Sequence, residues 1–173
     1  MRIISLMAIG QVEGSVLERL ARALAGRLPI ACSIRPGRLA AEFAFDPLRR
    51  QYRSAELLRK LHHGASAAGE RLLGVTDGDL YIPALTFVFG EGQVGRGVAV
   101  VSTHRLRQEF YGLPPDEELL RERLLKEAMH ELGHTYGLRH CRDYSCVMNA
   151  AHNIERIDLK RPAFCPACGT LLV

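Results

Sequence analysis

The sequence predicts an α/β (α+β) fold: helices packed on a twisted mixed sheet, with one long helix and a small irregular C-terminal part. Three observations point there. Short strand-like runs alternate with helical periodicity through the first half of the chain. Two further strand-like runs are joined by a glycine-rich connection. The longest helical pattern, 113–138, then gives way to a tail in which periodicity fades after Gly137.

Each element has its own signal. Ile3–Ile9 reads as a buried strand. Val16, Leu17, Leu20, Leu24 and Leu28 recur at helical spacing, which predicts an amphipathic helix over 13–28. "LPIACSIRP" is a second strand, and the Arg-rich stretch 36–53 reads as irregular. Ser54 is placed to cap a helix that runs to His63 and stops at Gly64. "RLLGVTDGDLYI" gives a strand and an Asp-Gly turn, and "LTFVFGEGQVGRGVAVVST" two strands. Prolines precede the long helix, Asp116, Glu117 and Glu118 suit its positive end, and Gly137 suits its termination. The chain is expected to form one domain, 1–173. Its first part, 1–137, ends in the long helix, and 138–173 holds too little apolar material for a core of its own, so a metal staple is expected there.

The 173 residues suffice for a sizeable core, and 47% apolar with 24% charged residues is ordinary for a globular chain. A net charge of +4, spread without a basic run and with few aromatics, is a poor nucleic-acid signature. No apolar run approaches the ~20 residues of a membrane helix. "MRIISLMAIG" resembles a signal peptide only superficially. Gln11 and Glu13 follow at once and no small-residue cleavage pattern appears, so the expected setting is cytoplasmic. Five cysteines, four of them in the last 33 residues, read in a reducing compartment as metal ligands before disulfides. Cys32 stands apart and reads as a small buried hydrophobe.

The chemistry is concentrated in "HELGHTYGLRHCRDYSCVM", 130–148. His130 and His134 lie four apart on one face of a helix, where both rings reach one ion. Glu131 between them can hold a water beside the metal without ligating it, as in zinc hydrolases. Gly137 can end the helix in a left-handed conformation, and His140 can swing back as a third ligand. Three His ligands leave a fourth position for water, the open site that catalysis needs. The spacing H-E-x-x-H-x-x-G-x-x-H with a later methionine, Met148, is the metzincin signature, in which the methionine supports the histidines from beneath.

Cys165-Pro-Ala-Cys168 is a knuckle that presents two thiolates to one ion, and Cys141 with Cys146 supplies a second pair. Four cysteines make a closed, structural zinc site. A redox role for the C-x-x-C pair would need a thioredoxin-like βαβ setting, which the tail lacks. His140 and Cys141 are neighbours. Were both on one ion, the water position would be filled, whereas adjacent residues of an extended chain point to opposite sides. One metal for each is therefore expected.

"HELGHTYGLRHC", "CVM" and "CPAC" together resemble the archaemetzincins, a metzincin family with a Cys-rich second zinc site, and "LTFVFGEGQVGRGVAVVS" is similar to that family's sheet region. The resemblance implies His130, His134 and His140 as catalytic-zinc ligands, Glu131 as general base and Met148 as the supporting methionine. It implies Cys141, Cys146, Cys165 and Cys168 as structural-zinc ligands, two zinc ions in all. It also implies peptide hydrolysis, in some members as aminopeptidases. Many other metzincins carry a propeptide, for which this chain has no expected room before its first strand. The expected function is thus a monomeric zinc metallopeptidase acting on peptide or protein substrates, with no nucleic-acid or membrane partner and with substrate added along an edge strand in 85–91. The rival is a zinc-stabilised binding module with little turnover, against which the intact Glu131 argues. Nucleic-acid binding through the Cys site would need basic residues around it. Lys160 and Arg161 precede it, but "CPACGTLLV" is neutral and apolar.

Overall fold

The structure, a computed structural model, describes residues 3–64 and 69–170; the end of the neutral run after Cys168, residues 171–173, lies outside them. β1 (Ile3–Ile9) is followed by α1 (Gly14–Ala25) and β2 (Ala31–Leu39). The short strands β3 (Phe45–Asp46) and β4 (Gln51–Arg53) precede α2 (Ser54–Gly64). Then come β5 (Glu70–Thr76), β6 (Leu80–Tyr81), β7 (Gly90–Gly92) and β8 (Val98–Ser102). α3 (Glu117–Thr135), α4 (Ile154–Leu159) and the single turn α5 (Pro166–Gly169) complete the order.

The main sheet runs β2-β1-β5-β8-β7, and β3-β4-β6 form a small second sheet. β2, β1, β5 and β8 pair in parallel, and β7 joins the end antiparallel to β8. Parallel strands need cover on both faces, which is why β1, β5 and β8 read as continuous apolar runs. Ile4, Leu6, Leu73, Val75, Ala99 and Val101 pack with α1 and α3. Ile9, Leu72, Val98 and Val100 pack on the other face with Leu57, Leu58 and Leu61 of α2. The outer edge, β2, carries Pro36 and Gly37, and its register against β1 shifts between Leu6 and Ala8.

Three expectations need correction. The stretch 36–53 is not wholly irregular, because β2 runs on to Leu39 and β3 and β4 build the small sheet. Ser54 does not cap α2. It is fully buried as the first helical residue, with its hydroxyl on Tyr81 O and against the Glu91 carboxylate. The edge strand expected in 85–91 reduces to β7. Upstream of it only an isolated bridge joins Val88 to Leu80, because Arg49 Nη2 and Gln51 Nε2 take the carbonyls of Leu85 and Thr86 as a strand neighbour would.

α3 is the pivot of the molecule. Asp116 Oδ1 accepts the Leu119 N–H at 2.9 Å and caps its start, and from Arg123 to Thr135 every residue is buried. A helix buried all round must be covered on two sides. The sheet covers one and the C-terminal part the other, since Leu138, Val147, Met148, Ile154 and Ile157 join the same core cluster. Ionic contacts tie that part down: Arg123 to Asp158 at 2.7 Å, and Lys160 to Glu127 at 2.8 Å. Lys160 is thus no surface cation beside the Cys knuckle. It is 2% exposed, in an ion pair beneath it.

Candidate metal centres and active site

α3 ends where the motif requires it to. Gly137 has φ 95°, its N–H donates to His134 O at 2.8 Å, and the Leu138 N–H reaches back to Gly133 O at 3.0 Å. That is a Schellman closure, which a glycine accommodates. The reversal brings Leu138 O to 2.8 Å from His134 Nδ1, and the chain then returns His140 to the other two rings.

The tautomers follow from the partners. His134 Nδ1 faces Leu138 O and His130 Nδ1 faces Val147 O, each at 2.8 Å. A carbonyl can only accept, so both Nδ1 atoms carry hydrogen, which in neutral rings leaves both Nε2 atoms as lone pairs. Those two Nε2 atoms stand 3.2 Å apart. Two lone pairs at that distance repel unless a cation lies between them. Tetrahedral zinc with Zn–N of about 2.0–2.1 Å sets its nitrogens ~3.3 Å apart. Each Nδ1–H bond is also the outer support that metal-bound histidines ordinarily have. His140 completes the trio, and the ligand atoms all lie within 4.8 Å of one another. Burial and the nearby Lys160 charge hold His130 well below the usual imidazole range, and burial lowers His140.

Glu131 is 5% exposed between α3 and β7. Burial, reinforced by the Glu127 charge, raises its carboxyl well above the usual range, while Lys160 and the Gly92 N–H oppose the rise. Two glycines make its place. A Cβ on Gly90 would overlap the Glu131 side chain and Val100 O, and one on Gly92 would overlap the Glu131 backbone. The alternation in Gly90-Glu91-Gly92 lets α3 lie directly on the edge strand. Gly133 does the same on the opposite side of the helix, where a Cβ would overlap Met148 Sδ. Met148 is fully buried, and its carbonyl accepts the Cys141 N–H at 2.9 Å.

The four cysteines form a second cluster, their sulfurs within 4.8 Å of one another. Cys141 Sγ and Cys165 Sγ are 3.8 Å apart, against ~3.8 Å for two thiolates on tetrahedral zinc at about 2.3 Å. Backbone N–H groups of Met148 and Cys165 point at Cys146 Sγ, and that of Asp143 at Cys141 Sγ. Burial, then bonding to Cys165, pushes the Cys168 thiol far up, while the Cys168 N–H draws Cys165 down. Four sulfurs this close cannot all be thiolates without a cation among them. His140 lies in one cluster and Cys141 in the other.

A cleft of about 450 Å³ opens over the histidines. Residues 82–92 wall one side and Ala150, Ala151 and His152 the other, with Glu127, His130, Glu131 and His134 at its base. Gly90, Gly92, Gly133, Glu127 and Lys160 escaped sequence reasoning. The alternation of glycines in "GEG" was a usable signal for the first two.

The family model of peptidase family M54 matches residues 22–173. The chain belongs to peptidase family M54. Family membership makes it a zinc metallopeptidase, as its motif led one to expect. It is 41% identical to the archaemetzincin of Pyrococcus abyssi over 97% of this chain and 93% of that one. Among solved structures, a zinc-dependent peptidase from Methanocorpusculum labreanum superposes with a TM-score of 0.90 at 34% identity, covering 98% of this chain and all of that one. The archaemetzincin of Methanopyrus kandleri gives 0.82 at 38% identity, covering 99% and 93%. In this M54 peptidase three histidines and four cysteines form two groups that could each hold a metal ion, and none of its helices, among the described residues, is long and apolar enough to cross a membrane.

Proposed function

We propose that His130, His134 and His140 hold the catalytic zinc of this peptidase, that Glu131 is its general base, and that Cys141, Cys146, Cys165 and Cys168 hold a second, structural zinc. The two bare Nε2 atoms at 3.2 Å, with both Nδ1–H groups committed to carbonyls, carry the reading. Bound zinc supplies an electrophile and lowers the pKa of its water from 15.7 to about 7. The chain supplies the rest. The peptide adds to the outward edge of β7, which puts its carbonyl carbon beside Glu131. Glu131 accepts the proton of the attacking water and delivers it to the departing amine. Burial raises the Glu131 carboxyl above the usual range, which makes it a better proton acceptor from the attacking water than a solvated carboxylate. Gly137 shapes the turn and Met148 supports the site from beneath.

The 173 residues act as one monomeric metallopeptidase domain, with 1–137 carrying the sheet and the active-site helix, and 138–173 the supporting methionine and the Cys zinc. Four thiol ligands suit a reducing, cytoplasmic setting, and neither nucleic acid nor membrane is a partner. The test is Glu131→Gln in zinc-loaded protein. Zinc content and melting temperature should hold while peptide hydrolysis falls ~10²–10⁴-fold. Near-normal turnover by that variant would remove Glu131 from the mechanism.

A further inference from the structure

The cleft contains a buried carboxylate that hydrolysis leaves unused. Glu127 lies on α3 one turn before Glu131 and three residues before His130, so it projects from the same face. It is 3% exposed, and it lines the cleft together with the small side chains of Ala150 and Ala151. Its Oε1 accepts from Lys160 Nζ at 2.8 Å, and Lys160 Nζ also donates to Asn149 O at 3.1 Å. No donor among the described residues reaches Oε2, and Oε2 is not one of the polar atoms sealed from solvent without a partner. The opening it borders is the cleft.

We propose that Glu127 is a specificity residue: its Oε2 accepts a hydrogen bond from a donor-bearing side chain, hydroxyl, carboxamide or amine, of a peptide residue flanking the scissile bond. The inference rests on the substrate lying in this cleft, as above. An apolar side chain there would strip water from Oε2 and leave a buried acceptor unpaired. An acidic side chain would face both the Glu127 and Glu131 carboxylates. A donor avoids both penalties, and a hydrogen bond to a charged acceptor is stronger than one between neutral groups. Lys160 is the positioning residue. It balances the charge on Glu127 and, through Asn149 O, ties that carboxylate to the segment that forms the far wall. An ion pair serving structure alone is replaceable by apolar groups of similar shape; the open oxygen is what such a replacement would delete.

The experiment uses zinc-loaded, full-chain protein and peptides that differ at one residue flanking the cleavage point, as Thr against Val and Gln against Glu. The same peptides are titrated by calorimetry into Glu131→Gln protein, which binds without turning over. At one flank kcat/KM and affinity should favour Thr over Val, and Gln over Glu, by about tenfold or more. Glu127→Gln can keep its carbonyl on Lys160 and present its amide N–H₂ to the cleft, so the Gln-over-Glu preference should vanish. Glu127→Leu with Lys160→Met should favour Val, and it carries the test alone if the single variant does not fold. Equal kcat/KM and affinity for Thr and Val in the parent, or a Thr preference that survives in the double variant, overturns the proposal. A parent that cleaves none of the peptides would count against the catalytic assignment instead, and calorimetry would still decide the role of Glu127.

Discussion

His140 and Cys141 are joined by one peptide bond, yet the surroundings of the two candidate metal centres differ in kind. The histidines are fixed from outside, by Nδ1–H groups on Val147 O and Leu138 O, on a helix the fold would form anyway. The cysteines come from two separated stretches with little regular structure. Around them the chain is organised by N–H···S contacts to Cys141 and Cys146 and by ionic ties to α3. On the proposed assignment, the fold prepares the histidine site for its ion, whereas the cysteine site needs its ion to prepare the fold. The proposed roles of these two adjacent residues are therefore thermodynamically opposite.

The largest effect that would break this comparison is loss of the Cys cluster. Cys146→Ala should remove one zinc per chain and unfold 138–170, because structural zinc can contribute roughly 10–16 kcal/mol in small peptides. Zinc analysis and the melting curve read it. A variant that binds one zinc and melts like the parent would erase the distinction. Mild chelation should do the reverse: activity disappears and returns with zinc, while the melting temperature and the second ion change little. Simultaneous loss of both ions would mean that the two sites are equally open.

Smaller changes sharpen the comparison at the seats of α3. Gly133→Ala should lower stability by about 1–3 kcal/mol, the usual penalty of overpacking, by forcing Met148 Sδ off the helix. A denaturant midpoint equal to that of the parent would show that Met148 has room to move. The least effect is expected from protons. His130 and His140 are held low in the folded chain. In protein stripped of the histidine-site ion alone, with the cysteine site still filled, their contribution is whole above the unfolded pKa of about 6.5 and lost as pH falls below it. Glu131, held high, pulls the other way, its contribution shrinking as pH rises from about 4.5. The histidine slope is therefore measured in Glu131→Gln from which mild chelation has removed only the histidine-site ion. Unfolding midpoints that do not fall between pH 7.5 and 5.5 would contradict the buried, neutral histidines.

Much of the histidine cluster was legible because its members are close in sequence and their spacing encodes geometry: four residues for one helix face, a glycine for the turn, three more for the return. The parallel strands were legible for a similar reason, since burial on two faces leaves a continuous apolar run. What escaped depends on distant partners. Lys160 reads as a surface cation until Glu127, 33 residues earlier, is seen beside it. Gly90 and Gly92 read as a loose connection until α3 is laid across them. Residues 85–89 have strand-like composition, but Arg49 and Gln51, some 36 residues upstream, take the carbonyls that would have made them a ladder.

The sheet has two outer edges, and neither invites a copy of itself. β2 is long, but Pro36 lacks an N–H, Gly37 weakens it, and Arg35 and Arg38 add charge. β7 is regular but only three residues long, closed upstream by the Val88–Leu80 bridge and downstream by the turn that sends Gln93 N–H to Val98 O. A peptidase that grips extended chains must keep unsatisfied main-chain groups in the open, which is also what seeds fibrils. With so brief a length of edge, the proposed addition of a peptide at β7 would engage a short run of another chain without offering a template for polymerisation.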